Sequence, residues 1–210
     1  MHGASHEQVC VALAFMPAPI IVVLLCANIR GVIVPADRHK NIRLNKKSYI
    51  GHSWYFLTLC TFRRRRYFRI DLAARWLLQV LQIEVRNSDF WARAYCLMPD
   101  HLHVLLQSES PQADLLAFVK NFKHKTSFVC SKRAGKVLWQ TSFYDRVLRK
   151  NEAPAAVAWY IWMNPVRPGM AKKASDYPYS GPFSSEWFAL GPLGDGWVPP
   201  ARADMNVSVT

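Results

Sequence analysis

The amino-acid sequence predicts an α+β fold, in which helices pack on an antiparallel sheet. Short runs of β-branched and aromatic residues alternate along the chain with segments of helical periodicity. Two of the strand-like runs are separated by only Pro99 and Asp100, a dipeptide typical of a tight turn between neighbouring strands. At 210 residues, 51% of them hydrophobic, the chain is long enough for one domain with a sizeable core.

The first half of the predicted domain contains three strands and one helix. The aromatic and β-branched run 54–62 predicts the first strand, and the apolar runs 91–98 and 101–107 predict the other two. Between the first two strands, apolar side chains recur at helical spacing over residues 71–85. This spacing predicts a helix with one buried face.

The second half contains two helices with a short strand between them. Ser110 can cap the first of these helices, over residues 110–130, and the strand covers residues 143–148. Asn151 can cap the last helix, and Pro165 limits it one residue earlier. This order of elements favours a ferredoxin-like antiparallel sheet with its helices on one face.

We expect the domain to span residues 48–184, between two segments of different composition. Residues 1–47 are apolar and then basic, and three interpretations stay open for this N-terminal extension: a start codon assigned too far upstream, a disordered or loosely packed tail, and a membrane anchor. The composition of residues 185–210 predicts an irregular C-terminal tail. The five cysteines are scattered with no C-x-x-C pair, which favours a reducing, cytoplasmic location over a disulfide or zinc scaffold.

The strongly basic charge predicts a polyanionic partner. The formal net charge is +13 and the pI is about 9.8, which favours nucleic acid over an anionic membrane. Three basic clusters are candidates for contacts with DNA phosphates, with a solvated surface as the alternative. Trp139 is a candidate either for stacking on a base or for a place in the core. The basic candidates are Arg63, Arg64, Arg65, Arg66, Lys120, Lys123, Lys125, Arg146 and Arg149.

His101 and His103 are separated by one residue in the third predicted strand. Because side chains alternate along a strand, both imidazoles point to the same face, with Cα atoms about 7 Å apart. Neutral imidazole is the commonest metal ligand, so the pair is a candidate to hold one divalent cation. The alternative is a pair of hydrogen-bonded histidines in a half-buried strand.

Tyr160 and Asn164 lie four residues apart in the last helix and therefore project from the same side of it. The Asn164 amide oxygen can serve as a ligand of a hard cation, and the Tyr160 hydroxyl can attack phosphorus. Tyr144, with Asp145 beside it, is the rival nucleophile. If the last helix packs on the face that carries the histidines, the groups of this candidate site meet.

Taken together, these motifs resemble a known family. The segment Met-Pro-Asp-His-Leu-His at 98–103, followed by Tyr-Ile-Trp-Met-Asn-Pro-Val at 160–166, resembles the single-tyrosine HUH transposases, most closely the REP-associated tyrosine transposases. The resemblance covers about residues 49–184, and the apolar leader has no counterpart in the family pattern. The other matching stretches, in the family's order, are Tyr55–Thr58, Trp139–Gln140, Phe143–Arg149, Asn164–Gly169 and Asp176–Ser180.

The resemblance implies an HUH endonuclease fold and the transposition of insertion-sequence or REP-type hairpin elements. It implies Tyr160 as the nucleophile, and His101, His103 and Asn164 as the ligands of Mg²⁺ or Mn²⁺. It also implies single-stranded or hairpin DNA as the partner, a 5′-phosphotyrosine intermediate, no small-molecule cofactor, and a monomer or homodimer. The alternative is a non-catalytic or domesticated nucleic-acid-binding protein on the same scaffold. A histidine-triad phosphohydrolase is excluded, because it needs a third histidine where Leu105 stands.

Overall fold

In the computed structural model of the protein, residues 45–134 and 137–181 are described. Residues 1–44, in the predicted N-terminal extension, and residues 182–210, with the predicted end of the domain, lie outside them. Within the described residues, no helix combines the length and apolarity that crossing a bilayer requires. The strands are β1 (Trp54–Cys60), β2 (Phe90–Met98), β3 (His101–Ser108), β4 (Tyr144–Val147) and β5 (Ser180–Gly181), and the α-helices are α1 (Asp71–Arg86), α2 (Leu115–Ala134) and α3 (Pro154–Trp162).

The five strands form one antiparallel sheet in the order β4-β1-β3-β2-β5. Pro99 and Asp100 form the tight β2–β3 turn that the sequence predicts. The short strand β5 was not predicted. It pairs with Tyr95 and Cys96 of β2, and the Tyr177 hydroxyl donates a hydrogen bond to the Leu97 carbonyl at 2.9 Å. The sheet therefore extends one strand further than the sequence analysis predicts.

Two helix starts differ from the prediction. Helix α2 begins at Leu115, and its cap is Asp114 and not Ser110, because the Asp114 carboxylate accepts a hydrogen bond from the Ala117 N–H at 3.0 Å. Helix α3 begins at Pro154 without a side-chain cap. Proline suits this first position because it has no N–H to leave unsatisfied.

The helices lie on both faces of the sheet, and the prediction that they share one face was wrong. Helices α1 and α2 pack on the face that carries Leu57 and Val104, whereas α3 packs on the opposite face with Phe56 and Leu105. The reason lies in the central strands β1 and β3, where consecutive residues on both faces are apolar and buried. A sheet with two apolar faces needs a cover on each of them.

Candidate functional site

The two predicted histidines lie together on the sheet face that α3 covers. Their imidazole ring centres are 4.7 Å apart, and the ring planes are nearly perpendicular, at 84°. In the β1–β3 register, Thr58 is opposite His103 and Cys60 is opposite His101. The alternation of side chains along β3 thus brings the two imidazoles side by side, as the sequence predicts.

His103 is buried and fixed by its neighbours. Its Nδ1 atom lies 2.8 Å from the Thr58 hydroxyl, and its ring stacks on Phe56 at 5.7 Å. Burial lowers the pKa of His103 well below its usual range, and the charges of His101, Arg64 and Arg167 lower it further. The imidazole is therefore neutral at pH 7, which is the form that binds a metal ion.

His101 is oriented by the carboxylate of the preceding residue. The Nδ1 atom of His101 lies 2.6 Å from Asp100 Oδ1, and the other Asp100 oxygen lies 3.7 Å from the Arg64 guanidinium. Burial raises the pKa of Asp100, but the hydrogen bond and charge of His101, together with the Arg64 charge, outweigh it and lower the pKa overall. Asp100 is thus a carboxylate at neutral pH, and it directs the Nε2 atom of His101 away from itself.

The donor set of the site fits a divalent cation. Both Nδ1 atoms are engaged, by Asp100 and Thr58, which leaves the Nε2 atom of each imidazole for coordination. In the described part of the chain, no three His, Cys, Asp or Glu side chains converge on one point. Further ligands of a metal held by His101 and His103 would be of another kind, such as an amide oxygen or water.

Tyr160 lies under the surface on the same side of the sheet. Its exposed fraction is 1%, and its ring meets the edge of Phe56 at 5.9 Å. Phe56 thus contacts the Tyr160 ring as well as the imidazole of His103. The guanidinium of Arg167 lies over the Tyr160 ring, and the guanidinium carbon is 4.0 Å from the ring centre. Burial raises the pKa of the phenol, and the hydrogen bonding and charge of Arg167 oppose this rise.

Asn164 follows the last turn of α3 and caps its C-terminal end. Its amide nitrogen donates hydrogen bonds to the carbonyls of Tyr160 and Ile161, at 3.1 and 3.2 Å. The amide oxygen is therefore turned away from the helix end and can accept or coordinate. The predicted role of Asn164 as a metal ligand stays a prediction.

The rival nucleophile, Tyr144, lies near the site but without the base that the sequence suggests. Its ring centre is 5.9 Å from that of Phe56. Its neighbour Asp145 accepts a hydrogen bond from Tyr49, at 2.6 Å, and Tyr49 belongs to the core on the opposite face of the sheet. Successive side chains of β4 alternate faces, so Asp145 is not available to Tyr144 as a base.

The arginine run after β1 lies beside the histidines. Arg63 and Arg64 both have a positive φ, of 55° and 52°, which is uncommon for residues other than glycine. The turn is held by Thr61, whose backbone N–H and hydroxyl both donate to the Asp100 carbonyl, at 2.9 Å each. Arg64 is paired with Asp100, whereas Arg63 and Arg66 are exposed. The strained turn thus directs one arginine to the site and leaves two at the surface.

The other basic candidates have different surroundings. Lys120 and Arg149 are exposed, as DNA contacts require. Lys125 is paired with Glu84, and Arg146 is paired with Glu152. Arg65, the remaining member of the arginine run, donates to the Tyr67 hydroxyl at 3.4 Å.

Two candidates for DNA binding make hydrogen bonds within the protein. The Lys123 ammonium donates to the carbonyls of Gln140, Thr141 and Ser142, at 2.6, 3.2 and 3.1 Å. Trp139 is 3% exposed, and its indole N–H donates to Thr126 at 2.8 Å. A buried ring cannot stack on a base. Of the two alternatives that the sequence left open for Trp139, the structure therefore shows the place in the core.

Three residues of this site were not singled out from the sequence. Thr58 can be recognised only from the register of β1 with β3. Asp100 was interpreted only as a turn residue, although its position next to His101 allows its carboxylate to hydrogen-bond the His101 imidazole. Arg167 lies within the matching Asn-Pro-Val-Arg stretch, but that stretch alone does not reveal its contact with Tyr160.

The Asp100→Asn variant tests the orientation of His101. We expect its affinity for Mn²⁺ to fall by about 10- to 100-fold, because a metal-bound imidazole needs its other nitrogen held by an acceptor. Isothermal titration of the metal into the DNA-free protein measures this. The control is Asp176→Asn, at an exposed aspartate of the 3₁₀ turn Ala174–Asp176. Equal affinity of the wild type and of Asp100→Asn would contradict the role of Asp100.

Because His103 is buried, we expect the metal-free protein to become less stable in mild acid. A free histidine titrates near pH 6.5, whereas burial keeps His103 neutral in the folded protein, so the unfolded chain binds the additional proton. The free energy of unfolding therefore falls as the pH drops below about 6.5, by up to about 1.4 kcal/mol per pH unit. Urea unfolding at pH 7.5 and 5.5 measures it. A free energy that does not change between these values would show that His103 is charged in the folded protein.

Comparisons with known proteins agree with the fold and with the motifs. Residues 49–162, more than half of the chain, match the family described as Transposase IS200 like. The REP-associated tyrosine transposase of Escherichia coli (strain K12) is 25% identical over 136 residues, which are 64% of this chain and 79% of that relative. A relative from Haemophilus influenzae is 26% identical over 146 residues, which are 64% of this chain and 82% of the relative.

A solved structure supports the fold. It is the structure of a REP-associated tyrosine transposase bound to a REP hairpin, and it aligns with a TM-score of 0.56 and 24% identity. The alignment covers 67% of this chain and 81% of that one. The predicted α+β class, with an antiparallel sheet and helices packed on it, is confirmed.

Proposed function

Because the chain belongs to the family of IS200-like transposases, we propose that it cleaves and rejoins single-stranded DNA with Tyr160 as the nucleophile. The predicted resemblance to the REP-associated tyrosine transposases is confirmed, and the protein is a transposase. The observation that supports the proposed role most is the common neighbour of the two groups. The Tyr160 ring and the His103 imidazole both contact Phe56, at 5.9 and 5.7 Å.

The proposed reaction exchanges one phosphate ester for another. The Tyr160 oxygen forms a bond to the phosphorus of a DNA phosphodiester, and the bond from phosphorus to O3′ breaks. The electron pair of that bond stays on O3′, which takes up a proton as the phenol loses one. The products are a 5′-phosphotyrosine and a free 3′-hydroxyl. A 3′-hydroxyl can reverse the step and rejoin strands without ATP.

The surroundings of Tyr160 fit a nucleophile that reacts only when a substrate is in place. Burial raises the pKa of the phenol, so it is protonated in the free protein at neutral pH. The opposing effect of Arg167 means that positive charge beside the ring favours the phenolate. A phenol that loses its proton only within the complex becomes a nucleophile when the phosphate that it attacks is already in place.

The ligand set proposed for the metal is His101, His103 and Asn164. Two imidazole nitrogens and one amide oxygen form a mixed nitrogen and oxygen set, which suits Mg²⁺ or Mn²⁺. When bound, such a cation polarises the phosphate and offsets its negative charge. The hydrogen bonds of Asp100 and Thr58 to the two Nδ1 atoms support this arrangement, because they orient both imidazoles.

Hairpin DNA is the proposed substrate. The solved relative was bound to a REP hairpin, and the formal net charge of +13 on this chain supports the same class of partner. The exposed Arg63, Arg66, Lys120 and Arg149 are the basic candidates best placed to contact phosphates. A DNA substrate also supports a cytoplasmic location.

The position of a label in the DNA tests the proposal. The full-length protein is incubated with single-stranded hairpins whose flanking sequences are randomised, in Mn²⁺ or in EDTA, and is then denatured. We expect a 3′-end label to become covalently attached to the protein in Mn²⁺, and a 5′-end label to appear on a shortened strand with a 3′-hydroxyl. Salt-sensitive binding without any covalent product would contradict the proposal and would indicate a non-catalytic binder.

A further inference from the structure

We propose that Arg167 is a catalytic residue: it covers the Tyr160 ring in the free protein and binds a non-bridging oxygen of the phosphate that Tyr160 attacks. This inference rests on the proposed role of Tyr160. It assigns to one side chain both the shielding of the nucleophile and the recognition of the reacting group.

The chain turns back after α3 and brings Arg167 over the helix that it has just left. The backbone N–H of Arg167 donates to the Met163 carbonyl at 3.3 Å, and the backbone N–H of Gly169 donates to the Val166 carbonyl at 2.9 Å. Gly169 has a φ of 72°, which other residues rarely adopt. The turn therefore carries Arg167 back toward Tyr160, seven residues earlier.

The Arg167 guanidinium contacts both the ring and the backbone of Tyr160. Its central carbon lies 4.0 Å from the centre of the ring, and one terminal nitrogen lies 3.4 Å from the Tyr160 carbonyl oxygen. Phe56 meets the same ring edge-on. Although Tyr160 is 1% exposed, Arg167 itself is an exposed residue. One solvent-accessible side chain thus lies between the phenol and the solution.

The guanidinium that covers the Tyr160 ring keeps hydrogen-bonding capacity that the ring does not use. An apolar side chain would exclude water from the ring equally well, whereas a guanidinium leaves part of its hydrogen-bonding capacity unused on an aromatic face. A phosphate uses that capacity better, because its oxygens match the planar fork of N–H donors. The contact with the ring is therefore one that a DNA phosphate can displace.

The position of Arg167 relative to the histidines supports this role. Phe56 contacts both the His103 imidazole and the Tyr160 ring, and the Arg167 guanidinium lies over that same Tyr160 ring. Arg167 therefore lies on the side of the sheet where a phosphate attacked by Tyr160 beside the two imidazoles must be held. There, positive charge stabilises the additional negative charge on the phosphate oxygens during the transfer.

The test compares three variants in the full-length protein. Arg167→Ala removes the guanidinium, Arg167→Lys keeps the charge without the fork, and Arg86→Ala removes an equal charge from the exposed last turn of α1, on the other face of the sheet. The measurements are the single-turnover rate of covalent adduct formation with hairpin DNA in Mn²⁺, and the dissociation constant for the same DNA in EDTA. Thermal unfolding checks that each variant is folded.

We expect Arg167→Ala to form the adduct about 100-fold more slowly, and Arg167→Lys about tenfold more slowly. Arg86→Ala should stay within about twofold of the wild type. In EDTA, the dissociation constants of Arg167→Ala and Arg86→Ala for the DNA should agree within about threefold, because Arg167 supplies at most one of many phosphate contacts. A rate for Arg167→Ala within about threefold of the wild type would overturn the inference. If the alanine variant does not fold, a wild-type rate for Arg167→Lys would overturn it.

A second measurement needs neither metal nor DNA. Hydroxyl-radical footprinting, with the oxidised tyrosines located by peptide mass spectrometry, reports the solvent access of the Tyr160 ring whatever its protonation state. We expect Tyr160 to be oxidised faster in Arg167→Ala than in the wild type, and Tyr55, buried on the other face, to react equally in both. Equal oxidation of Tyr160 in the two proteins would contradict the covering role.

The two proposals fail in different ways. If the wild type forms no adduct, or if Tyr160→Phe still forms one, the proposed function fails and the role of Arg167 fails with it. If the wild type forms an adduct through Tyr160 but Arg167→Ala reacts at the same rate, only the inference about Arg167 fails.

Discussion

The Tyr160→Phe variant forms no covalent adduct with hairpin DNA, and it binds that DNA as the wild type does. Phenylalanine keeps the ring that contacts Phe56 and Arg167, so the packing of α3 and the cation–π contact are retained. Only the hydroxyl is lost, and with it the atom that attacks phosphorus. We expect the rate of adduct formation to fall at least about a thousandfold, measured as transfer of a 3′-end label to the denatured protein.

Tyr144→Phe is the matched control for this experiment. Tyr144 is another buried tyrosine whose ring contacts Phe56, at 5.9 Å, and its neighbour Asp145 is bound to Tyr49 on the opposite face. We expect this variant to form the adduct at about the wild-type rate, within about threefold. An adduct that persists in Tyr160→Phe and is lost in Tyr144→Phe would reverse the assignment of the nucleophile.

His101→Ala abolishes cleavage and leaves most of the DNA binding. His101 is the better of the two histidines to change, because His103 is 5% exposed and stacks on Phe56, so that its removal would leave a cavity. Loss of one of three ligands weakens the proposed metal site, and we expect cleavage to fall at least about 100-fold. The dissociation constant for hairpin DNA should change less than about threefold, because affinity comes from the basic surface.

The control for His101→Ala is His52→Ala, at an exposed histidine before β1. Cleavage and binding by this variant should match those of the wild type. Calorimetric titration with Mn²⁺ should show a weaker site in His101→Ala and an unchanged one in His52→Ala. If His101→Ala loses binding and cleavage to the same extent, the proposed division between a catalytic centre and a separate binding surface is wrong.

The parts of the site that could be predicted from the sequence all depend on local backbone geometry. A strand alternates its side chains, and this alone indicates that His101 and His103 share a face. A helix repeats every 3.6 residues, which predicts that Tyr160 and Asn164 project from one side; in the structure α3 ends at Trp162 and Asn164 caps its C-terminal end. The Pro99–Asp100 turn likewise depends on neighbouring residues. Such features can be predicted from the sequence because they depend on residues only a few positions apart.

The sequence analysis missed features that depend on contacts between residues distant in the sequence. The prediction placed the helices on one face, but α3 covers the face opposite α1 and α2. The sequence does not reveal that the Lys123 ammonium donates to three backbone carbonyls of a segment that begins 17 residues later, and its contact with DNA stays a prediction. Strand β5 was missed because two residues, Ser180 and Gly181, are too few to show a period.

The sequence by itself therefore determined which groups are present and which of them share a strand or a helix: two imidazoles on β3, a phenol and a carboxamide at the end of α3, and a large excess of positive charge. Only the tertiary structure decided that α3 lies over the imidazoles, that Phe56 contacts both His103 and Tyr160, and that Arg167 returns to cover the phenol. The physical reason is that backbone geometry sets the direction of neighbouring side chains, whereas the pairing of a helix with a sheet face depends on packing the apolar surface of the whole chain.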